Sequence, residues 1–233
     1  WCSKGNEFQR IVLESVLAFS TDNVNAEIDF DDRIGRFQSN KGETKIELPA
    51  NQYICYMDEF KWFIDRDEME LSSGREVSED FVIDTDADKE VSNFFSVNAY
   101  QDSLNFLAPK AVYDIKQTVI SCDEIKYIAV ADSKVLPDSG HVTIRKRAKI
   151  DPLTEATVIS NYVTQYHRIF NADLQINGRW DFEGEGDYVY TDESKLEQII
   201  HIQKLDVDTT RQTYGEGRIM EEDEFLLSPF FAY

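Results

Sequence analysis

Basic residues are scarce: 24 lysines and arginines stand against 45 aspartates and glutamates in 233 residues, a formal charge of −21. A surface of that sign repels phosphate backbones and anionic membranes, so nucleic acid is not an expected partner. The densest basic run is Arg145-Lys146-Arg147 with Lys149. Read as a strand, it puts Arg145 and Arg147 on one face and Lys146 on the other, a split cluster that suits a solvated strand edge. Cysteine is equally sparse. Cys2, Cys55 and Cys122 form no CxxC pair and no zinc spacing, and their odd number leaves at least one thiol without a partner in its own chain. Cys55 and Cys122 sit in apolar stretches (Tyr53-Ile54-Cys55-Tyr56 and Val119-Ile120-Ser121-Cys122) and read as buried small hydrophobes. Cys2 has the place of a bacterial lipid-anchor cysteine, although Trp1 is a poor residue to precede one.

Only 5 prolines and 10 glycines exclude collagen-like and low-complexity structure. No apolar run approaches the roughly 18 residues that a spanning helix needs. No signal peptide is visible. The three histidines, His141, His167 and His201, fall in no metalloprotease pattern, and His167 reads as a core-edge residue. There is no GxSxG and no glycine-rich phosphate loop. Gly184-Glu185-Gly186 and Gly215-Glu216-Gly217 carry an acid between their glycines, which suits strand bends or bulges better than an anion site.

What is present is strand. Apolar and polar residues alternate in Ala26-Glu27-Ile28-Asp29-Phe30, Lys45-Ile46-Glu47-Leu48, His141-Val142-Thr143-Ile144 and Asp187-Tyr188-Val189-Tyr190. Asn177-Gly178 between two such runs predicts a type I′ hairpin. Further turns are expected at Thr191-Asp192-Glu193-Ser194 and near Asp208-Thr209-Thr210-Arg211, making 170–220 an antiparallel meander. Glu7 to Phe19 fits a helix or a strand equally, and Val91 to Leu107 has room for a short helix.

Val130-Ala131-Asp132-Ser133-Lys134-Val135 echoes Asn171-Ala172-Asp173-Leu174-Gln175-Ile176, and Glu155-Ala156-Thr157-Val158-Ile159 is a shorter version. Repeated units of this kind suit stacked β-rungs, and coincidence among similar strands explains them as well. The expected fold is all-β: a stacked, solenoid-like sheet architecture with a C-terminal antiparallel meander, or alternatively a β-sandwich. Residues 1–71 read as an N-terminal β-rich segment and 72–90 as an acidic loop or insertion. Residues 91–233 read as a β-rich, repeat-like segment that continues past the last residue. The start on Trp1 and the apolar close, Pro229-Phe230-Phe231-Ala232-Tyr233, carry the expectation of a longer protein.

One stretch has the composition of a metal site. Asp84, Asp86 and Asp88 alternate on a polar loop and offer oxygen ligands to calcium, but the EF-hand positions for glycine and for the closing acid hold Lys89 and Phe95. A solvated acidic loop is the plainer reading, and Asp29, Asp31 and Asp32 form a second such cluster. Trp62, Trp180 and the Tyr188/Tyr190 pair are candidates to stack on sugars, against the alternative that they pack a sheet face.

The stretch from Val130 to Ile144, the stretch from Gly178 to Tyr188 and Phe225-Leu226-Leu227-Ser228-Pro229-Phe230 resemble segments of very large, uncharacterised exported proteins of Bacteroidetes-type bacteria, over about residues 110–233. The resemblance implies a fragment of a longer β-rich envelope protein, exported to the periplasm or cell surface, and carries over no activity or site residue. The functional expectation leans away from an enzyme, toward a structural or interaction segment whose partners are other envelope proteins or the rest of its own chain. A carbohydrate-binding or carbohydrate-active module is the alternative, with glycan as its partner, and a calcium-stabilised adhesion domain comes after it. No cofactor is expected beyond that calcium.

Overall fold

In a computed structural model, residues 2–3, 11–13, 16–76, 91–161, 167–191, 195 and 197–217 are described. Among them every long element is a strand, and the 3-10 turns are three residues each. One antiparallel sheet holds β1 (Cys2–Ser3), β4 (Val24–Asp29), β5 (Ile34–Ser39), β8 (Glu59–Phe63), β9 (Glu68–Ser72), β12 (Lys110–Asp114), β13 (Val119–Asp123) and β16 (Val142–Ile144), in that order. The other holds β2 (Ile11–Leu13), β3 (Val16–Thr21), β6 (Thr44–Leu48), β7 (Tyr53–Met57), β10 (Phe94–Ser96), β11 (Asn105–Phe106), β14 (Ile128–Val130) and β15 (Ser133–Leu136). It continues through β17 (Leu153–Ser160), β18 (His167–Gly178), β19 (Asp181–Thr191), β20 (Glu197–Val207) and β21 (Thr213–Glu216).

Strand order follows chain order in both sheets. The chain makes a hairpin in one sheet, crosses to the other, makes a hairpin there and crosses back. Short connections, such as Asp58 alone between β7 and β8, put the crossings at one end of the strands and the hairpin turns at the other. Four turns share one design. Residues 30–33, 49–52, 64–67 and 115–118 each form a four-residue loop whose last member, Arg33, Gln52, Asp67 or Thr118, has φ between 52 and 56°. Strands on either side of 73–93 pair in both sheets, β9 with β12 and β7 with β10.

The alternation predicted from sequence holds its facing. Ile46, Leu48, Tyr53, Cys55 and Met57 point inward from one sheet, and Phe37, Phe60, Met69, Leu71, Tyr113, Ile120 and Cys122 from the other. All belong to one hydrophobic cluster. Two buried amides serve backbone groups that the ladders leave over. At the crossing end, Asn93 Nδ2 donates to the Ala108 carbonyl at 2.9 Å and its Oδ1 accepts from the Ala108 N–H at 2.8 Å. At the hairpin end, Asn51 Nδ2 donates to the Thr118 carbonyl at 2.8 Å, joining turns from opposite sheets.

The last strands behave differently. Register shifts interrupt β17 between Leu153 and Ala156, β18 between Phe170 and Asp173, and β19 between Gly184 and Gly186. Aligned shifts bend a sheet, and the tip of the β18–β19 hairpin turns over the open end of the core. Leu174, Ile176 and Phe182 enter the cluster. Gln175 Nε2 donates to the Ile150 carbonyl beside β16 at 3.0 Å, while the Arg179 guanidinium donates to the Ala129 carbonyl in β14 at 2.8 Å. The hairpin thus fastens both sheets.

Several expectations change here. The hairpin expected at Asn177-Gly178 exists, but its turn is Arg179-Trp180, closed by the pair Gly178↔Asp181. Neither Asn177 nor Gly178 has positive φ. A Cβ on Gly178 would sit 3.1 Å from the Gln101 backbone, so that glycine serves close packing. Glu7–Phe19 is strand where described, and Val91–Leu107 opens on a helical residue, Val91, and holds the 3-10 turn Ala99–Gln101. Arg145-Lys146-Arg147 is a loop with a 3-10 turn, because Ile144 pairs with Ile150 and closes a short hairpin around it. Ala156 and Ala172 are direct cross-strand partners, so that part of the sequence echo records one close sheet contact.

Candidate functional site

Beyond the bend, β17 to β21 curl until β21 returns to β15. The Thr213 N–H donates to Asp132 Oδ1 at 2.8 Å, and the Ser133 and Thr213 hydroxyl oxygens lie 2.7 Å apart. The concave side of this curl is an open groove of ≈ 350 Å³. Ile169, Ile202 and Leu205 form its floor, Tyr188 and Tyr214 its aromatic walls, and Ser160, His167 and Thr213 its polar edge. His167 Nδ1 lies 3.3 Å from the Tyr188 hydroxyl, with the rings 5.8 Å apart. The Tyr214 hydroxyl accepts from Lys204 Nζ at 2.9 Å and lies 3.3 Å from Asp206. Both aromatic walls are therefore positioned by their polar tips, and Lys204 Nζ also stands over the Tyr214 ring at 5.2 Å from its centroid. The groove is set on strands and has the volume of a small-ligand or side-chain pocket.

His167 is exposed and lines this groove, so its place is the groove edge and not the core edge. Alternation put Tyr188 on a face, but no local pattern reports that β21 comes round to meet β15. Gly184-Glu185-Gly186 is the predicted bulge, whereas Gly215 lies in regular register opposite Leu205.

Two imidazole–carboxylate pairs lie on outer faces. His141 Nδ1 is 2.7 Å from Asp123 Oδ1 and its Nε2 is 3.1 Å from Thr143 Oγ1. That order of groups matches an acid–base–hydroxyl relay. The pair stands half exposed on a sheet surface, where Thr143 is in ladder register with Ser121. The two contacts orient the imidazole on the sheet surface. His201 Nδ1 lies 3.0 Å from Asp187 Oδ1, and Asn171 donates to Asp187 Oδ2 at 3.2 Å. Those two bonds hold the Asp187 carboxyl below its usual range. Glu185, at 4.0 Å, is what faces His201 Nε2.

Asp84, Asp86 and Asp88 lie outside the described residues, so the calcium reading receives no geometry. Among the described residues no cluster of three His, Cys, Asp or Glu side chains is placed to hold a metal. Asp29, half-buried, ends β4 beside the 30–33 turn, its carboxylate held below the usual range by the N–H groups of Asp32 and Asp31. Cys55 and Cys122 are fully buried and free, as the sequence implied, while the side chain of Cys2 is not described. Trp62 packs inward against Phe19. The Trp180 ring carries the Arg211 guanidinium at 4.1 Å and that of Arg179 at 5.4 Å. Neither tryptophan offers a bare platform; Tyr188 and Tyr214 are the aromatic residues that line the groove.

No family model matches this chain, and no curated protein or solved structure matches it either.

Proposed function

We propose that this chain is a non-enzymatic structural and interaction segment of a larger bacterial envelope or surface protein, exported to the periplasm or cell surface. The observation that carries the reading is the groove on the curled sheet: apolar floor, two oriented tyrosines, polar edge. Its volume and its largely apolar floor suit a side chain or a small apolar body. The architecture supports the structural half. Hairpin pairs advance in chain order along both sheets, which supports reading the fold as a stacked, solenoid-like plan with the bent β18–β19 hairpin as its cap. The partner is another envelope protein or a further part of the same long chain.

The test is substitution of Ile202, half-buried on the groove floor. In protein isolated natively from its source, Ile202→Glu is expected to lose co-isolating chains while thermal stability falls by no more than about 1–2 kcal/mol. An unchanged set of partners, or turnover by the wild-type protein in a hydrolase screen, contradicts the reading.

A second reading, a carbohydrate-binding module, is favoured by Tyr188 and Tyr214 alone. Tyr214→Ala would then abolish binding on a glycan array that the wild-type protein lights.

A further inference from the structure

The hairpin end carries a surface that the groove does not explain. Three turns from both sheets are knitted there by short polar contacts. The Arg147 N–H donates to the Ala50 carbonyl at 3.0 Å, and the Ala148 N–H to that of Asn51 at 2.8 Å. Asn98 Nδ2 donates to the Arg147 carbonyl at 3.2 Å, and Gln101 Nε2 to that of Ala148 at 2.7 Å. The Arg179 N–H donates to the Gln101 carbonyl at 3.0 Å, bringing the Trp180 turn alongside. Arg147 itself is held at φ 58°, a left-handed conformation that a non-glycine residue keeps only where its surroundings fix it.

From this scaffold project groups that a folded protein usually hides or neutralises. Tyr100 is 92% exposed and Val97 57%. Lys146, Arg147 and Lys149 are exposed and, among the described residues, make no ion pair, whereas their neighbour Arg145 is spent on Asp151 at 2.6 Å. In a chain of net charge −21 this is a cationic island, and it is interleaved with apolar and aromatic side chains.

We propose that this hairpin-end surface is a docking platform for an acidic, extended polypeptide segment of a partner. Charge complementarity selects an anionic partner. Tyrosine and arginine on a rigid base are the residue types that dominate protein interfaces, and little conformational freedom is lost on binding there. The apolar members favour carboxylates spaced by apolar side chains over an unbroken polyanion. Exposed Asp102 and Asp181 at the margin, and the acidic body beyond, repel a polymer that carries charge on every unit.

The test is fluorescence anisotropy at low salt with a labelled synthetic peptide alternating glutamate with leucine and tyrosine. Wild-type protein is expected to bind it. Lys146→Glu/Arg147→Glu and, separately, Tyr100→Ser should each weaken binding by about tenfold or more, as expected of interface anchors. Lys41→Glu, the same kind of charge change on the exposed crossing end, and the groove variant Ile202→Glu should both leave it intact. All altered side chains of the platform are exposed, so melting curves matching wild type are expected. No binding at millimolar peptide overturns the proposal. So does equal weakening by Lys41→Glu, an unaffected Tyr100→Ser, or tighter binding of polygalacturonate or heparin with the same residue dependence.

Discussion

Valine in place of Gly184 is expected to dislodge the β18–β19 cap and lower the melting temperature by roughly 10 °C or more, from a loss of about 4 kcal/mol. Gly184 lies at the register shift of β19 opposite Leu174. A Cβ built there falls 2.1 Å from the Asp173 carbonyl oxygen and 2.7 Å from Leu174 Cδ2. The first of these is backbone and cannot swing aside. Strand β18 must move, and with it Leu174, Ile176 and the two hydrogen bonds that tie the hairpin to both sheets. Because the same bend sets up the groove, Gly184→Val should also lose whatever the groove binds. Gly74→Ala is the control, since its added Cβ meets only the Asp58 carboxylate at 3.3 Å. A Gly184→Val protein that melts with wild type would mean that the bend is not closely packed.

Alkaline pH is expected to unfold the protein between about pH 9 and 11, through groups that the core keeps protonated. Burial pushes the thiols of Cys55 and Cys122 far above their ordinary value of 9.0. It pushes the Tyr113 phenol to about 12 and raises that of Tyr53 further. In the unfolded chain these groups release their protons near the ordinary values, so above about pH 9 the folded state binds more protons than the unfolded one. Stability is therefore full below that point and declines as pH rises. Each such group removes up to about 1.4 kcal/mol per pH unit once the pH passes its unfolded-state value, a substantial share of the stability of a domain. Circular dichroism against pH gives the curve. In Cys55→Ala/Cys122→Ala the decline should start near pH 10, where only the tyrosines remain. An unchanged pH slope in that variant contradicts the assignment.

The strands were legible because period-two alternation is a local signal and both sheets bury one face. Lys45-Ile46-Glu47-Leu48 and Asp187-Tyr188-Val189-Tyr190 could be placed from their own residues. The hairpin turns of the two sheets were hidden, because their left-handed positions are filled by Arg33, Gln52, Asp67 and Thr118 and not by glycine or asparagine. Where an Asn-Gly signal did stand, at Asn177-Gly178, tertiary packing on Gln101 overrode it and moved the turn to Arg179-Trp180. The groove was illegible for a different reason. Its walls come from five strands, brought together by a bend at which Gly184 packs closely on Asp173, a contact between strands. The cationic loop 145–149 was visible as composition, but its exposure depends on the pairing of Ile144 with Ile150.

The most direct measurement is photo-crosslinking in the native host from a benzophenone amino acid placed at Tyr214 in the groove wall. The groove account predicts a discrete adduct with one other polypeptide, or with a distant part of the same longer chain, and no matching adduct from the same probe at exposed Lys41. Adducts of equal yield and identity from both positions, or none from Tyr214, would contradict it.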